Sequence, residues 1–469
     1  MIRIAIVGGG IAGLAAAWEL RPLAESGRAE VTLFEASERL GGAVRTDRES
    51  GAVIECGPDS FLARKPEGIT LVREMGMDKE LVEVRNPGSY LYLRGKFRPF
   101  PPVTPAGLPA SLSSMAHSHL LSPAGKLRAL GDLFVPRSRS LSRGEDVSLG
   151  DFLRRRMGRE IVEHLAGPVA GGTHLTDIHE LSLRATYPDL ARMEKEHRSL
   201  LLALLRERTP SAQGGAPRSP FLTLRNGLSS LVEGIEARLP ANAVRKSSPV
   251  ETISRGDGGQ YFLRTGGREE GPFDGLVLSA PAPALSAMLS KSFPELARAF
   301  SEFRYSPLVV VGLVYPQVPE NIPLDKGGFM VPRDEPLPIS GVSWATRKWG
   351  FAPPEGGEVL RVYLDEKRNP GILSLSDEEI LERARKGVAT TMGITGAPRY
   401  SRVYRHGAAL PQYAVGHPER VARVRSLAAQ WPRVALAGAL LEGVGLADCI
   451  RTGREAARRL TKGIAEPSA

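Results

Sequence analysis

This 469-residue chain has few cysteines, no long apolar run and no secretory signal pattern, and each of these features excludes some classes of protein. It has only two cysteines, Cys56 and Cys449, which excludes a disulfide framework and favours a reducing compartment. No apolar run reaches the roughly 18 residues that a membrane-spanning helix needs. The opening MIRIAIVGGG lacks the basic, apolar and small-residue pattern of a secretory signal. We therefore expect a cytoplasmic protein without a membrane-spanning helix.

Motifs for metal binding and covalent catalysis are also absent. Neither cysteine has a partner at CxxC or CxxH spacing, and no nucleophile–base pattern is visible. We therefore expect no metal. What the chain does have is an ordinary globular composition, 42% hydrophobic and 24% charged. Its length predicts two or three domains.

The net charge of +10 is concentrated in one segment. Residues 94–143 contain eight Lys or Arg and one acid, Asp132, and within them 99–125 has six prolines and no Lys, Arg, Asp or Glu. Nucleic acid is disfavoured because aromatic residues are not interleaved with the cations. An apolar stretch flanked by cations suits an anionic membrane surface. A solvated helical segment with no partner is the alternative.

The first 35 residues carry a dinucleotide-binding pattern. Apolar IRIAIV predicts a strand, and GGGIAG places Gly8, Gly10 and Gly13 at G-x-G-x-x-G spacing before an alanine-rich helix. A glycine turn at a helix N-terminus suits a pyrophosphate. A second strand, VTLFEA, ends at Glu35, 22 residues after Gly13, where an acid can accept ribose hydroxyls.

A second glycine pair, Gly41-Gly42, follows in ASERLGGAVRT. Because FAD is longer than a nicotinamide dinucleotide, it needs a further close backbone approach, and this pairing resembles the amine-oxidase and phytoene-desaturase flavoprotein superfamily. The resemblance implies that the strand RVALAG, near the C-terminus, returns to the nucleotide domain. The next loop would then lie against the flavin, with a helix from about Ala447 pointing its N-terminus at the ring. Its positive dipole end would favour the reduced ring.

The rest of the pattern predicts an α/β protein with a discontinuous Rossmann-like FAD-binding domain, a mixed-sheet substrate domain and a helical insertion. VETISR and QYFLRTGG predict a hairpin, PLVVVGLVY and EVLRVYL predict strands, and SDEEILERARKGVATTMG predicts a helix with a Ser376 cap. Gly and Pro density at 208–220 predicts a loop. We expect the FAD-binding domain at 1–85, 225–290 and 415–469, a helical, membrane-associating domain at 86–205, and the substrate-binding domain at 206–224 and 291–414.

Four blocks resemble one family, the oxygen-dependent protoporphyrinogen and coproporphyrinogen oxidases of haem synthesis: GPDSFLARKP, MEKEHRSLL, LPQYAVGHPER and EGVGLADCI. The resemblance implies FAD, molecular oxygen and a porphyrinogen substrate that loses six electrons in three rounds, each yielding hydrogen peroxide. It also implies a product hand-off to ferrochelatase. The positions expected to contact FAD are Gly8, Gly9, Gly10, Ile11, Ala12, Gly13, Glu35, Ala43, Gly57, Pro58, Asp59, Ser60, Val250, Ala439, Val444, Gly445 and Leu446.

The same resemblance implies a substrate cavity. Met330 and Tyr363 occupy positions where the family lines the ring cavity, with core packing as the alternative. Gly171 and Gly172 match a close approach to the macrocycle. The sequence then departs from the family pattern, because His174 stands where an aromatic residue is usual, and we assign His174 no catalytic role. No side-chain acid or base is required, since positioning, water exclusion and carboxylate binding are the main tasks.

The choice of porphyrinogen depends on cations around the cavity. Coproporphyrinogen carries four propionates and protoporphyrinogen two, so the former favours additional cations. Members specific for protoporphyrinogen commonly have an arginine where this chain has Ser89. Lys65 in SFLARKP resembles the coproporphyrinogen-oxidising members, with a solvated loop lysine as the alternative. We expect a coproporphyrinogen III oxidase, with protoporphyrinogen IX as the alternative substrate. Remoter alternatives are an amine oxidase, a carotenoid desaturase or a flavin-bearing scaffold without activity.

Overall fold

The structure, a computed structural model, describes residues 1–49, 51–206, 219–351, 353 and 356–462. The strands, in chain order, are β1 (Ile2–Val7), β2 (Ala29–Phe34), β3 (Thr46–Glu49), β4 (Ala52–Glu55), β5 (Phe61–Leu62), β6 (Leu81–Glu83), β7 (Tyr90–Leu93), β8 (Lys96–Pro99), β9 (Phe221–Leu224), β10 (Val244–Arg245), β11 (Val250–Arg255), β12 (Tyr261–Thr265), β13 (Arg268–Phe273), β14 (Gly275–Leu278), β15 (Tyr305–Tyr315), β16 (Gly328–Met330), β17 (Gly341–Trp344), β18 (Glu358–Asp365), β19 (Tyr400–Pro411) and β20 (Val434–Leu436).

The α-helices are α1 (Ile11–Glu25), α2 (Pro66–Glu74), α3 (Leu112–Ala116), α4 (Pro123–Leu130), α5 (Arg139–Ser142), α6 (Leu149–Met157), α7 (Arg159–Ile161), α8 (Gly172–His174), α9 (Leu183–Thr186), α10 (Pro188–His197), α11 (Leu200–Arg206), α12 (Ser229–Glu236), α13 (Ala282–Leu289), α14 (Pro294–Ser301), α15 (Ala345–Trp349), α16 (Asp377–Met392), α17 (His417–Ala428) and α18 (Leu446–Thr461). A π-helix spans Val162–Gly171, and short 3-10 helices span Asp78–Glu80, Gly131–Leu133 and Ile372–Ser374.

The first sheet has five parallel strands in the order β10-β2-β1-β14-β20. Alternate side chains of β1 enter two different cores: Ile4 and Ile6 pack with α1 and α18, whereas Ala5 and Val7 pack with α13, α14 and the hairpin β11–β12. Burial on both faces explains why β1 is a continuous apolar run. The predicted Rossmann-like unit is confirmed, and residues from both ends of the chain build it.

The second sheet has seven strands in the order β19-β15-β18-β17-β16-β7-β8, all antiparallel except the pair β16–β7. One face packs under α16, which begins at a Ser376 capping box and ends at Gly393, as the sequence predicted. The other face, which carries Val310, Tyr363 and Tyr404, packs against Ile54 of β4. The mixed sheet therefore lies against the nucleotide-binding unit.

One strand pair and one single strand lie outside the domains that the sequence assigned to them. Residues 90–99, expected in the helical insertion, form β7 and β8 of the seven-stranded sheet. Strand β9, expected with the substrate domain, pairs with β5 and β6, and its Leu222 and Leu224 enter the core of the nucleotide-binding unit. Both differences arise from pairing across long sequence separations, which local patterns do not encode. The predicted Gly/Pro-rich loop lies, up to residue 218, outside the described residues.

The segment from α3 to α11 is helical, as predicted, and has its own apolar core. A buried ion network crosses this core: Arg156, with no exposed surface, pairs with Asp132 and, at 2.6 Å, with Glu194. Over the described residues, none of the helices combines the length and the apolarity needed to cross a bilayer.

Candidate functional site

The glycine turn after β1 has the geometry of a phosphate cradle. Gly8 has φ +107°, and Gly10 is the N-cap of α1, where no side chain caps the helix. A Cβ at Gly13 would lie 2.0 Å from the Gly8 carbonyl oxygen, so glycine is required there for packing. A Cβ at Gly10 would meet no protein atom within 4 Å. The space beside Gly10 is therefore open at a helix N-terminus, as a bound pyrophosphate requires.

Glu35 lies beside this turn, directly after β2. Its Oε2 accepts the Gly9 N–H at 2.7 Å, and its Oε1 accepts the Ser37 N–H at 2.8 Å. The backbone N–H of Ser248 donates to the Glu35 carbonyl oxygen at 2.8 Å, which brings Val250 to the same corner. The predicted ribose acid and the predicted adenine contact thus lie at one end of the cradle.

The second glycine pair packs directly on the first turn. The Gly41 N–H donates to the Gly9 carbonyl at 2.8 Å, and a Cβ on Gly42 would approach the Gly10 Cα to 3.2 Å. A Cβ on Gly57 would lie 1.9 Å from the Ala43 carbonyl oxygen. The three predicted FAD segments are therefore stacked backbone against backbone, which only glycine permits.

The loop after β20 brings a second helix N-terminus to this region. Helix α18 begins at Leu446, one residue before the predicted start, with Gly445 as an N-cap that has no side-chain hydrogen bond. The Tyr413 hydroxyl donates to the Ala439 carbonyl at 2.6 Å and holds the loop. Strands β1 and β20 are parallel members of one sheet, so α1 and α18 both start at its carboxyl edge, where ligands bind in such sheets. The open cradle and the two uncapped helix ends fit FAD.

The segment Gly57–Ser60 is held by cations that the sequence analysis did not identify. Arg361 of β18 donates to the Glu55 carbonyl at 2.6 Å and to the Gly57 carbonyl, and pairs with Asp59 at 2.9 Å. Lys348 also pairs with Asp59, at 2.7 Å. Although burial disfavours the charged carboxylate, Lys348 and Arg361 keep the pKa of Asp59 well below its usual value. The available signal was an arginine inside the apolar strand EVLRVYLD.

The predicted cavity residues come from the seven-stranded sheet, which carries Met330 and Tyr363, and from the end of the π-helix, which carries Gly171 and Gly172. Met330, Gly341 and Tyr363 lie in one register row across β16, β17 and β18, so Met330 and Tyr363 share a sheet face. Burial raises the pKa of the Tyr363 phenol to about 12, so it stays neutral at physiological pH. Met330 and Val444, the latter in the loop after β20, both pack against the core of the helical segment.

Gly171 and Gly172 lie where the π-helix gives way to α8. A Cβ on Gly171 would approach the Thr176 carbonyl oxygen to 3.0 Å, whereas one on Gly172 would meet no protein atom within 4 Å. The nearby His174 ring is buried between the rings of Tyr187 and Tyr413, with centroids 6.0 and 6.2 Å away. Burial lowers the pKa of His174 to about 4, so this imidazole is neutral.

Lys65 is an ion-pair partner in the structure. Its Nζ lies 2.5 and 2.6 Å from the two carboxylate oxygens of Asp448, in the first turn of α18. Asp448 is buried, whereas a third of the Lys65 side chain is exposed. The lysine that the sequence proposed for a substrate carboxylate is therefore already bound to a carboxylate of the protein, and a role toward substrate stays a prediction.

Comparison with known proteins places these features in a family. The model of the family described as flavin containing amine oxidoreductase matches residues 11–461. The chain is 35% identical over 461 residues to a coproporphyrinogen III oxidase of Bacillus subtilis, with 97% of each chain covered. It is 32% identical to a protoporphyrinogen oxidase of Bos taurus, covering 97% of this chain and 98% of the relative. A crystal structure from Exiguobacterium sp., assigned as a protoporphyrinogen oxidase, matches with TM-score 0.86 and 31% identity, over 98% of this chain and 99% of that one.

Proposed function

This chain belongs to the flavin containing amine oxidoreductase family and uses FAD, and we propose that it oxidises coproporphyrinogen III to coproporphyrin III. Molecular oxygen would be the acceptor and hydrogen peroxide the second product. The observation that carries the proposal is the 35% identity to a coproporphyrinogen III oxidase over 97% of both chains. Oxidation of protoporphyrinogen IX is the second candidate, because a protoporphyrinogen oxidase is 32% identical over a similar length.

The residues of the site perform binding and positioning. The N-termini of α1 and α18 offer N–H groups and the positive ends of two helix dipoles, which suit a diphosphate and a ring that gains negative charge on reduction. When bound, FAD supplies a two-electron acceptor that oxygen regenerates in each of three rounds. Arg361 and Lys348 fix the loop at Gly57–Ser60 against the seven-stranded sheet, so the cofactor-binding segment and the sheet face keep one relative position.

Two titratable side chains near the predicted cavity, Tyr363 and His174, are uncharged at physiological pH. Tyr363 keeps its proton at physiological pH, and His174 stays neutral because burial holds its pKa at about 4. Met330 and Val444 contribute apolar contacts that exclude water beside the loop after β20. These properties suit the removal of hydride from a carbon atom, for which exclusion of water and fixed orientation matter most.

Parallel assays with the two porphyrinogens test the proposal. The flavin-loaded protein should turn over coproporphyrinogen III with oxygen uptake and the appearance of porphyrin fluorescence. A preference of tenfold or more for protoporphyrinogen, about 1.4 kcal/mol, would overturn the substrate choice but leave the flavin chemistry intact. A yellow protein that oxidises neither porphyrinogen would instead favour an amine oxidase, a desaturase or a scaffold without activity. The Gly10→Val variant, described in the Discussion, serves as the control without flavin.

Peripheral binding to an anionic membrane is a second part of the proposal. Large apolar side chains are exposed in the basic segment: Leu127 is 71% and Phe134 79% exposed, and Leu112 and Leu130 are also exposed. Arg137, Arg139 and Arg143 are exposed close to Phe134 in the sequence. Apolar side chains that enter the interface, with cations beside them, give salt-sensitive binding. Such a protein would lie on the inner face of the cell membrane, where it could hand its product to ferrochelatase.

Flotation with liposomes containing anionic lipid tests this surface at low and high salt. The wild type should float at low salt, and Leu127→Ser/Phe134→Ser should not. Leu373→Ser is the matched control, because Leu373 is also exposed but lies outside the basic segment. Absence of flotation at low salt would overturn the membrane proposal and favour a wholly cytosolic enzyme. Ferrochelatase transfer would be tested by faster product release when that enzyme is added.

A further inference from the structure

An ion network joins the helical segment to the seven-stranded sheet. Asp177, on the turn after α8, pairs with Arg333 and, at 3.4 Å, with Lys367. Lys367 also lies 3.5 Å from Glu180. These side chains are partly exposed, with 50% of Arg333, 44% of Lys367 and 29% of Asp177 accessible. An ion pair that is this exposed contributes little to stability, so it can exchange partners at low cost.

The network lies next to the predicted substrate cavity. Arg333 follows Met330 by three residues, and Lys367 follows Tyr363 by four, just beyond the row in which Met330 and Tyr363 share a sheet face. On the opposite side, the Thr176 N–H donates to the Gly171 carbonyl at 3.1 Å, which ties the turn bearing Asp177 to the predicted macrocycle contact. The two cations and the acid therefore face each other where the sheet that carries Met330 and Tyr363 meets the turn after α8.

The backbone around both partners is fixed. Arg368 donates to the carbonyls of Val331 and Pro332 at 2.9 and 2.7 Å, and also to those of Glu335 and Leu337, which holds the loop carrying Arg333. Asp177 Oδ1 accepts the His179 N–H at 3.0 Å. A new carboxylate can therefore replace that of Asp177 without rebuilding either loop.

We propose that Arg333 and Lys367 bind propionates of the substrate, and that the Asp177 carboxylate occupies these cations until substrate displaces it. A guanidinium binds any carboxylate in the same planar fashion, so an internal acid and a propionate compete for it directly. This inference rests on the proposed function. Binding of coproporphyrin, which has four propionates, should therefore depend on Arg333 and Lys367 more than binding of protoporphyrin, which has two.

Direct binding of coproporphyrin III and protoporphyrin IX to the flavin-loaded protein tests the exchange, with porphyrin fluorescence as the readout. Arg333→Ala and Lys367→Ala should each weaken coproporphyrin binding roughly five- to twentyfold, and protoporphyrin binding less. This loss is smaller than that of a buried charged hydrogen bond, because both cations are about half exposed. Asp177→Asn keeps the bond from His179 but removes the competing charge, so it should tighten coproporphyrin binding by about three- to tenfold. The KM for coproporphyrinogen should move in the same directions.

The control is Arg423→Ala, which breaks a comparably exposed pair with Glu302 and should leave porphyrin binding unchanged. If Arg333→Ala folds poorly, as melting temperature and flavin content would reveal, Arg333→Gln replaces it. Unchanged or weaker coproporphyrin binding by Asp177→Asn would overturn the inference, because a purely structural ion network predicts that result. If the wild type oxidises coproporphyrinogen but the Arg333 and Lys367 variants bind normally, only this inference fails. If the wild type neither binds coproporphyrin nor oxidises its porphyrinogen, the proposed function fails with it.

Discussion

Replacing Gly10 by valine should remove FAD while leaving the fold intact. The backbone of Gly10 has φ −68° and ψ 173°, an extended conformation that valine readily adopts, and an added Cβ meets no protein atom within 4 Å. The only cost to the protein is a poorer N-cap for α1, about 1 kcal/mol or less. The valine side chain would nevertheless fill the space beside the N-terminus of α1.

The expected loss of cofactor affinity follows from the contacts that the valine would displace. If two N–H bonds to the pyrophosphate are lost, at about 1.5–3 kcal/mol each, binding weakens by roughly 3–6 kcal/mol, or about a hundredfold to ten-thousandfold. The ratio of flavin to protein after purification, and reconstitution of the apoprotein with FAD, measure this loss. The melting temperature of the apoprotein reports the fold.

Gly396→Val is the matched control, because a Cβ at Gly396, between α16 and β19, also meets no protein atom within 4 Å. It should therefore leave both the melting temperature and the flavin content at their wild-type values. A Gly10→Val protein that retains FAD at wild-type affinity would refute the placement of the pyrophosphate at this turn.

Three further predictions concern buried charges. Burial raises the pKa of the Glu55 carboxyl to about 7, above its ordinary 4.5. The stabilisation from the protonated carboxyl is fully present below pH 4.5 and should be lost as pH rises through 7, at up to about 1.4 kcal/mol per pH unit. Denaturant unfolding at several pH values measures this loss, and Glu55→Gln should not show it. Arg156→Met should lower the free energy of unfolding by about 3–5 kcal/mol, because it leaves the buried Asp132 carboxylate without a cation and Glu194 with Arg155 alone. Arg159→Met, at an exposed pair, should cost less than about 1 kcal/mol. Lys65→Met should destabilise the protein by roughly 1–3 kcal/mol, because it leaves Asp448 unpaired. The double variant Lys65→Met/Asp448→Asn should recover part of this loss. If the KM rises more for coproporphyrinogen than for protoporphyrinogen in both variants, Lys65 has a direct role toward substrate.

Several local elements could be read from the sequence because their cause is local. The spacing of Gly8, Gly10 and Gly13 reflects a turn and a helix start only a few residues long. Gly8 has a positive φ, Gly13 leaves no room for a Cβ beside the Gly8 carbonyl, and the space beside Gly10 is open. Helix α16 was predicted correctly at both ends, since Ser376 and Gly393 act on their own helix termini.

Other features were decided by tertiary structure, because they depend on partners far away in the chain. Strand β7 is a short apolar run that any sheet could accept, and only its pairing with β16 places the hairpin β7–β8 in the seven-stranded sheet. The hydrogen bonds from Arg361 to the carbonyls of Glu55 and Gly57 join residues some three hundred positions apart. Lys65 and Asp448, 383 positions apart, could not be recognised as a pair from either neighbourhood. Sequence period and spacing determine which helices and strands form, whereas the neutralisation of each buried charge depends on the packing that brings its partner within reach.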